Sequence, residues 1–143
     1  MEYRYDDRTL DAGTFLALVQ QVWPGEYDAE KTRAALARTI NITAWDGGRL
    51  AGCLRILTDG CYFGTITELL VLPACRRQGV GRAFFAFAEE LARQRGLSAL
   101  RIDTYRLNLR MQALILSRGF TKVGEIRLHG RPLPYPCFEK ALN

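Results

Sequence analysis

Histidine is nearly absent: His129 is the only one in 143 residues. Zinc centres and Ser-His-Asp hydrolysis both draw on histidine set beside other ligands or a nucleophile, and a lone His in a Gly-rich turn reads as a surface residue. Cysteine pairs are missing as well. Cys53, Cys61, Cys75 and Cys137 form no CxxC, which removes zinc-ribbon and dithiol chemistry and fits reduced, mostly buried thiols in a cytoplasmic protein. No apolar run is long: Ala83–Ala88 stops at Glu89, far short of the roughly 18 residues that a membrane helix needs. The first seven residues are acidic and polar, unlike a signal peptide. Lysine is scarce, with 3 Lys against 17 Arg, and no basic run is interleaved with aromatics, so nucleic-acid binding has no support.

What is present suits a soluble globular domain. Hydrophobic residues make up 48% and charged residues 24%, and the length fits one domain, residues 1–143, with a core that needs neither disulfide nor metal. The net charge is +5, carried almost wholly by arginine. Arginine grips phosphate and carboxylate through two parallel bonds, so an anionic ligand is one reading, and an Arg-for-Lys surface set by codon usage is the other.

Spacing predicts the elements. Residues 2–5 read as a short strand, and Asp11 caps a helix with Phe15, Leu16, Leu18, Val19 and Val22 at helical spacing. Trp23-Pro24-Gly25 breaks that helix, and Asp28 opens a second one through Leu36. Strands 40–45 and 50–57 join through Asp46-Gly47-Gly48, and a long strand 62–72 ends at Pro73. A helix follows from Gly79 to Gly96, with Glu89 and Arg93 pairing on its outer face. A strand at 100–104, a helix capped by Asn108, and strands near 123–128 and 137–142 complete the chain.

The most informative segment is Val71-Leu72-Pro73-Ala74-Cys75-Arg76-Arg77-Gln78-Gly79-Val80-Gly81-Arg82. A strand ends, a basic turn follows, and two glycines open a strong helix. Free N–H groups of a first helical turn bind phosphate, and glycine lets the backbone come close. A dinucleotide fingerprint needs a third Gly where Phe84 stands, and a P-loop needs Lys-Ser/Thr where Arg82-Ala83 stand, so both fail. A purely structural strand-to-helix turn is the plainer alternative.

The segment Arg76-Arg77-Gln78-Gly79-Val80-Gly81 resembles the cofactor signature of the GCN5-related N-acetyltransferases, the GNAT family. A second block, Asn108 through Gly119-Phe120, has that family's spacing too, and the element order fits along nearly the whole chain. The stretch Ile102-Asp103-Thr104 to Gly119-Phe120 is similar to small bacterial members without assigned substrates. The resemblance implies an α/β (α+β) GNAT fold, a mixed and mostly antiparallel sheet of six to seven strands with about four helices, splayed between the fourth and fifth strands. It also implies acetyl-CoA as donor, a primary amine as acceptor, and no metal. Carried over, the backbone of Leu69, Leu70 and Val71 would bond the pantetheine arm and acetyl carbonyl. The amides of Arg77–Arg82, with Arg76, Gln78, Gly79, Val80 and Gly81 in the same turn, would hold the pyrophosphate. Asn108 would bond the pantetheine end.

Acetyl transfer needs a neutral amine, a donor to the oxyanion, and an acid for the departing thiolate. Val71 N–H is the expected oxyanion donor. Glu68 is the candidate base, or else a strand residue facing solvent or paired with an Arg. The family often has a Tyr where Ile115 stands, so the acid is Tyr105, ahead of Tyr135 and Ser117, or the thiolate leaves unaided. Tyr105 as a stacked aromatic is the alternative. Acceptor contacts would come from the Trp23–Asp28 turn and the late loop 130–136. Glu26 and Asp28 could attract an amine but read first as a solvated turn and a helix cap, and Trp23 and Trp45 read as core ahead of substrate platforms. A small amine or amino-acid-like metabolite is the expected acceptor. Acetylation of a protein N-terminus or Lys, or a non-catalytic acetyl-CoA sensor, are the alternatives. A homodimer is an expectation from the family alone.

Overall fold

The computed structural model describes residues 1–142. In chain order it has β1 (Glu2–Arg4), α1 (Ala12–Val22), α2 (Ala29–Arg38), β2 (Ile40–Asp46), β3 (Arg49–Thr58) and β4 (Phe63–Val71). After a single 3-10 turn at Pro73–Cys75 come α3 (Val80–Gln94), β5 (Ala99–Asp103), α4 (Leu109–Ser117), β6 (Thr121–Ile126) and β7 (Tyr135–Ala141). The seven strands form one sheet in the order β1-β2-β3-β4-β5-β7-β6. Every neighbouring pair is antiparallel except β4–β5, which is parallel and is bridged by α3.

Local chemistry fixes the helix starts. Asp11 and Asp28 accept the N–H of Thr14 and Lys31, at 2.7 and 2.9 Å, and Asn108 accepts that of Met111 at 3.2 Å. Gly79 opens α3 from a left-handed conformation, φ 81°, with no side-chain cap. Two apolar cores lie on opposite faces of the sheet, as the neighbours Cys53 and Leu54 show. Leu54, Ile66, Phe84, Leu100 and Ile115 pack with α3 and α4 on one face. Phe15, Leu18, Leu36, Cys53 and Leu70 pack with α1 and α2 on the other.

The expected splay is present. β4 and β5 pair from Phe63–Ala99 to Ile66–Ile102, and there the pairing stops. β4 runs on to Val71 while β5 ends at Asp103, leaving Thr67–Val71 without a partner on that side. A second irregularity coincides with it. Ile66 pairs with Ile56 and Glu68 with Arg55, so Thr67 is an extra residue, a β-bulge. The bulge exchanges the faces: Ile66 belongs to the α3 core, whereas Leu70 belongs to the α1–α2 core.

Some expectations need correcting. The first strand stops at Arg4, the long strand is 63–71, and the last two strands start earlier, at Thr121 and Tyr135. Glu89 does not sit on the outer face of α3. It is buried and bonds Lys140 Nζ at 3.1 Å and Arg118 Nη2 at 3.3 Å, with Arg93 at 3.8 Å, because the approach of β7 and the end of α4 covers it. Only Cys53 and Cys75 are buried; Cys61, at the β3–β4 turn, is exposed. Trp45 is half-buried against the α1–α2 core, and its indole N–H donates to Asp7 at 3.1 Å. Trp23, however, is 50% exposed.

Candidate active site

Backbone geometry along β4 defines the splay. Leu72 N–H donates to Ala51 O at 2.8 Å, so the antiparallel alternation turns Leu70 toward β3 and leaves the N–H and C=O of Leu69 and Val71 facing the open side. Of the three residues expected to offer backbone groups there, Leu69 and Val71 are free to do so, and Leu70 is committed to Cys53 on β3.

The basic turn lies directly beyond this edge. Arg76 is extended, Arg77 is left-handed at φ 64°, and Gly79 is left-handed at φ 81°. Arg76, Arg77, Gln78, Gly79 and Arg82 are exposed, and Val80 is buried as the helix's first anchor. The first intrahelical bond is Ala83 N–H to Gly79 O at 3.0 Å. The N–H groups of the turn before it therefore have no intrahelical partner, and no side chain caps them. A Cβ at Gly81 would come within 3.0 Å of Leu114 Cδ2, so this glycine also lets α4 approach α3. Asn108 spends its Oδ1 on capping α4, which leaves its amide NH2 exposed at the same end of the sheet.

Glu68 lies on the α1–α2 side, because the bulge puts it there. Arg55 grips both of its oxygens, Nε to Oε2 at 2.5 Å and Nη2 to Oε1 at 2.8 Å, and the pair is largely buried. Burial disfavours the Arg55 charge, yet the Glu68 carboxylate outweighs it and holds the guanidinium above its ordinary range. The ion pair forms the floor of a cavity of about 350 Å³. Phe15, Leu16, Val19 and Leu70 form its apolar walls, and the α1–α2 turn forms its rim.

Tyr105 is placed elsewhere. Its ring packs on Tyr135 at 5.1 Å and under the Arg131 guanidinium at 4.7 Å, and its hydroxyl accepts Leu133 N–H at 3.4 Å. The structure thus ties it to the late loop and does not bring it to the Glu68 cavity. Ser117 bonds back to Leu114 O within its own helix. Ile115 is fully buried in the α3–α4 core.

Three residues in the neighbourhood carried no clear signal in the sequence. Arg55 appeared only as one residue of a strand, and its ion pair depends on cross-strand register. Trp23 read as core ahead of a substrate platform, although the turn it opens was expected to contact the acceptor. Asp103 ends β5 at the point where the splay opens, and because Ile102 faces the α3 core its side chain takes the opposite face, as Glu68 does. Burial pushes the Asp103 carboxyl above its usual range, partly offset by His129.

A family model described as acetyltransferase (GNAT) family matches residues 8–120. The chain is 31% identical, over 87% of its length and 93% of the relative's, to an aminoglycoside N(6')-acetyltransferase type 1 of Klebsiella aerogenes. Among solved structures, the ribosomal-protein-S18-alanine N-acetyltransferase of Escherichia coli superimposes with a TM-score of 0.83 at 18% identity, covering 99% of this chain and 93% of that one. An aminoglycoside 6'-N-acetyltransferase complexed with coenzyme A gives 0.81 at 16% identity, covering 100% and 98%. At these identities the superpositions speak for the fold.

Proposed function

Because this chain belongs to the GNAT acetyltransferase family, we propose that it moves an acetyl group from acetyl-CoA to the primary amine of a small molecule, by direct attack in a ternary complex. One observation carries the reading: the free backbone edge of Leu69 and Val71 adjoins, through Glu68, a cavity of small-molecule size. The residues fit the co-substrate. The uncapped start of α3 with Arg76, Arg77 and Arg82 suits a pyrophosphate, and the free edge of β4 suits an amide-bearing arm. Asn108 keeps donors for the same arm.

When bound, acetyl-CoA supplies an acyl group on a good leaving thiol. An N–H at Val71 or Leu69 then stabilises negative charge on the acyl oxygen as the amine adds. Glu68 takes the ammonium proton, directly or through water, a role supported by the two bonds through which Arg55 orients its carboxylate. The new C–N bond replaces the C–S bond, and the thiolate recovers a proton from solvent or from a hydroxyl of the late loop. For that acid we propose Tyr105, which packs on the late loop through Tyr135 and Leu133. An acceptor that was itself a protein would need a groove in place of a cavity bounded by α1 and α2.

One domain spanning the chain and a reducing, cytoplasmic setting complete the proposal, supported by four unpaired thiols and by the lack, among the described residues, of a helix long and apolar enough to cross a membrane. The test is calorimetric titration of acetyl-CoA into the wild type and into an Arg77→Glu/Arg82→Glu variant, followed by an amine screen for free thiol. Binding lost in a variant that melts like wild type, with thiol release by some amine, supports the reading; a folded wild type that binds no acetyl-CoA refutes it.

A further inference from the structure

The α1–α2 turn exposes two aromatic rings on a hydrogen-bonded backbone. Trp23 is 50% and Tyr27 is 45% exposed. Tyr27 Oη donates to Trp23 O at 2.7 Å, and Trp23 N–H donates to Val19 O at 2.7 Å. Gln20 clamps the turn from both sides, donating to Gly25 O at 2.6 Å and accepting Gly25 N–H at 3.1 Å. A bare connection between helices needs neither an exposed Trp nor such bracing. Both rings stand at the rim of the cavity whose floor is Arg55–Glu68.

Charge narrows what this cavity takes. Its ionisable lining is Glu26, Asp28 and Glu68 against Lys31 and Arg55, three acids less two bases, a balance of −1. Asp28 is engaged in capping α2 and Glu68 in gripping Arg55. The chain as a whole carries +5. A polycationic acceptor wants concentrated negative potential, and this cavity offers apolar and aromatic wall with its one deep carboxylate already accompanied by Arg55.

We propose that the acceptor is a singly charged primary amine on a flat apolar or aromatic body, an arylalkylamine-like compound, with the body against Trp23 and Tyr27 and the amine at Glu68. This rests on the transferase reading above and adds the acceptor class. A ring stacked on Trp gains from area burial and from offset or edge-to-face geometry, and an approaching ammonium gains from the ring face.

The experiment measures thiol release from acetyl-CoA by the full chain with tryptamine, spermidine and kanamycin in parallel. Tryptamine should show a kcat/KM at least about tenfold above the other two. Trp23→Ala should raise the tryptamine KM about tenfold with kcat within about twofold, and Trp23→Phe should restore most of it. Preference for kanamycin or spermidine, or an unchanged tryptamine KM in Trp23→Ala, overturns the acceptor class and leaves the transferase reading standing. No release with any of a broad set of amines, despite acetyl-CoA binding, overturns both.

Discussion

Arg55 and Glu68 are register partners across β3 and β4, and their two bonds of 2.5 and 2.8 Å leave neither Glu68 oxygen unaccompanied. The pairing orients a carboxylate that would otherwise rotate freely in a cavity. Arg55 is itself wedged between the Phe15 ring, 5.4 Å away, and Thr39 Oγ1 at 3.4 Å. Glu68→Gln should therefore lower kcat by about 100-fold or more with acetyl-CoA affinity unchanged, as steady-state kinetics and calorimetry would show. Arg55→Ala should cost about 3 kcal/mol of stability, read from chemical denaturation, because it strands the partner charge. Equal kcat in Glu68→Gln would remove that residue from proton transfer.

Asp7 governs acid stability. Its buried carboxylate accepts Thr9 N–H and Oγ1, Thr43 Oγ1 and Trp45 Nε1, and it ties the N-terminal segment to β2. Burial alone would raise its pKa, but the bonds from Thr9, Thr43 and Trp45 outweigh it and hold it below the ordinary Asp range. A depressed folded pKa gives stability that is present in full above the unfolded value, near 4, and is lost as pH falls through the folded one. Thermal melts between neutral pH and about pH 3 should fall less steeply for Asp7→Asn than for wild type, from a lower starting point. Parallel curves would assign the acid transition to other groups.

Asp103 has the opposite sign. Its carboxyl is held above the usual range by burial, so the penalty is absent below the unfolded pKa, grows as pH rises and is complete above the folded pKa. Asp103→Asn should thus melt higher than wild type at pH 7 and equal to it in acid. If the variant also turns over more slowly, a carboxyl that the fold tolerates at a cost is retained for the chemistry at the splay.

Thiol reactivity should sort by depth. Burial pushes the Cys53 thiol far above its normal pKa, and Cys75 is equally enclosed, whereas Cys61 is exposed. A native sample at pH 8 treated with a small disulfide reagent should release one rapid equivalent, and all four after denaturation. Two rapid equivalents would mean that Cys137, only partly covered and with its pKa raised by burial, opens readily.

Much of this was legible in the sequence because local rules dominate it. Asp11, Asp28 and Asn108 announced their helices by capping chemistry, and the three do cap them. The strand-turn-helix from Val71 to Arg82 followed from a motif whose spacing is covalent, whereas the splay was implied by the family resemblance and not by spacing. Pairings between distant segments were not legible. Nothing local marks Arg55 as the partner of Glu68, since that depends on where the bulge falls. Trp23 read as core because large aromatics usually are, and only the tertiary structure shows it lining a cavity rim. Glu89 was misplaced for the same reason: the cations that bury it, Arg118 and Lys140, arrive from later elements.

The single extra residue at Thr67 divides β4 into two reading frames. Before it, even-numbered residues answer to the α3 core; after it, even-numbered residues answer to the α1–α2 side, and the odd-numbered amides at 69 and 71 point into the gap. Sequence change in the first half is therefore constrained by packing, and in the second half by whatever occupies the cavity and the gap. A library aimed at new acceptors can vary residues around Glu68 without touching the first frame. Deleting Thr67 would bring Ile66 and Glu68 next to one another opposite Ile56 and Arg55, so β4 would lose its bend while Glu68 kept its partner and its face.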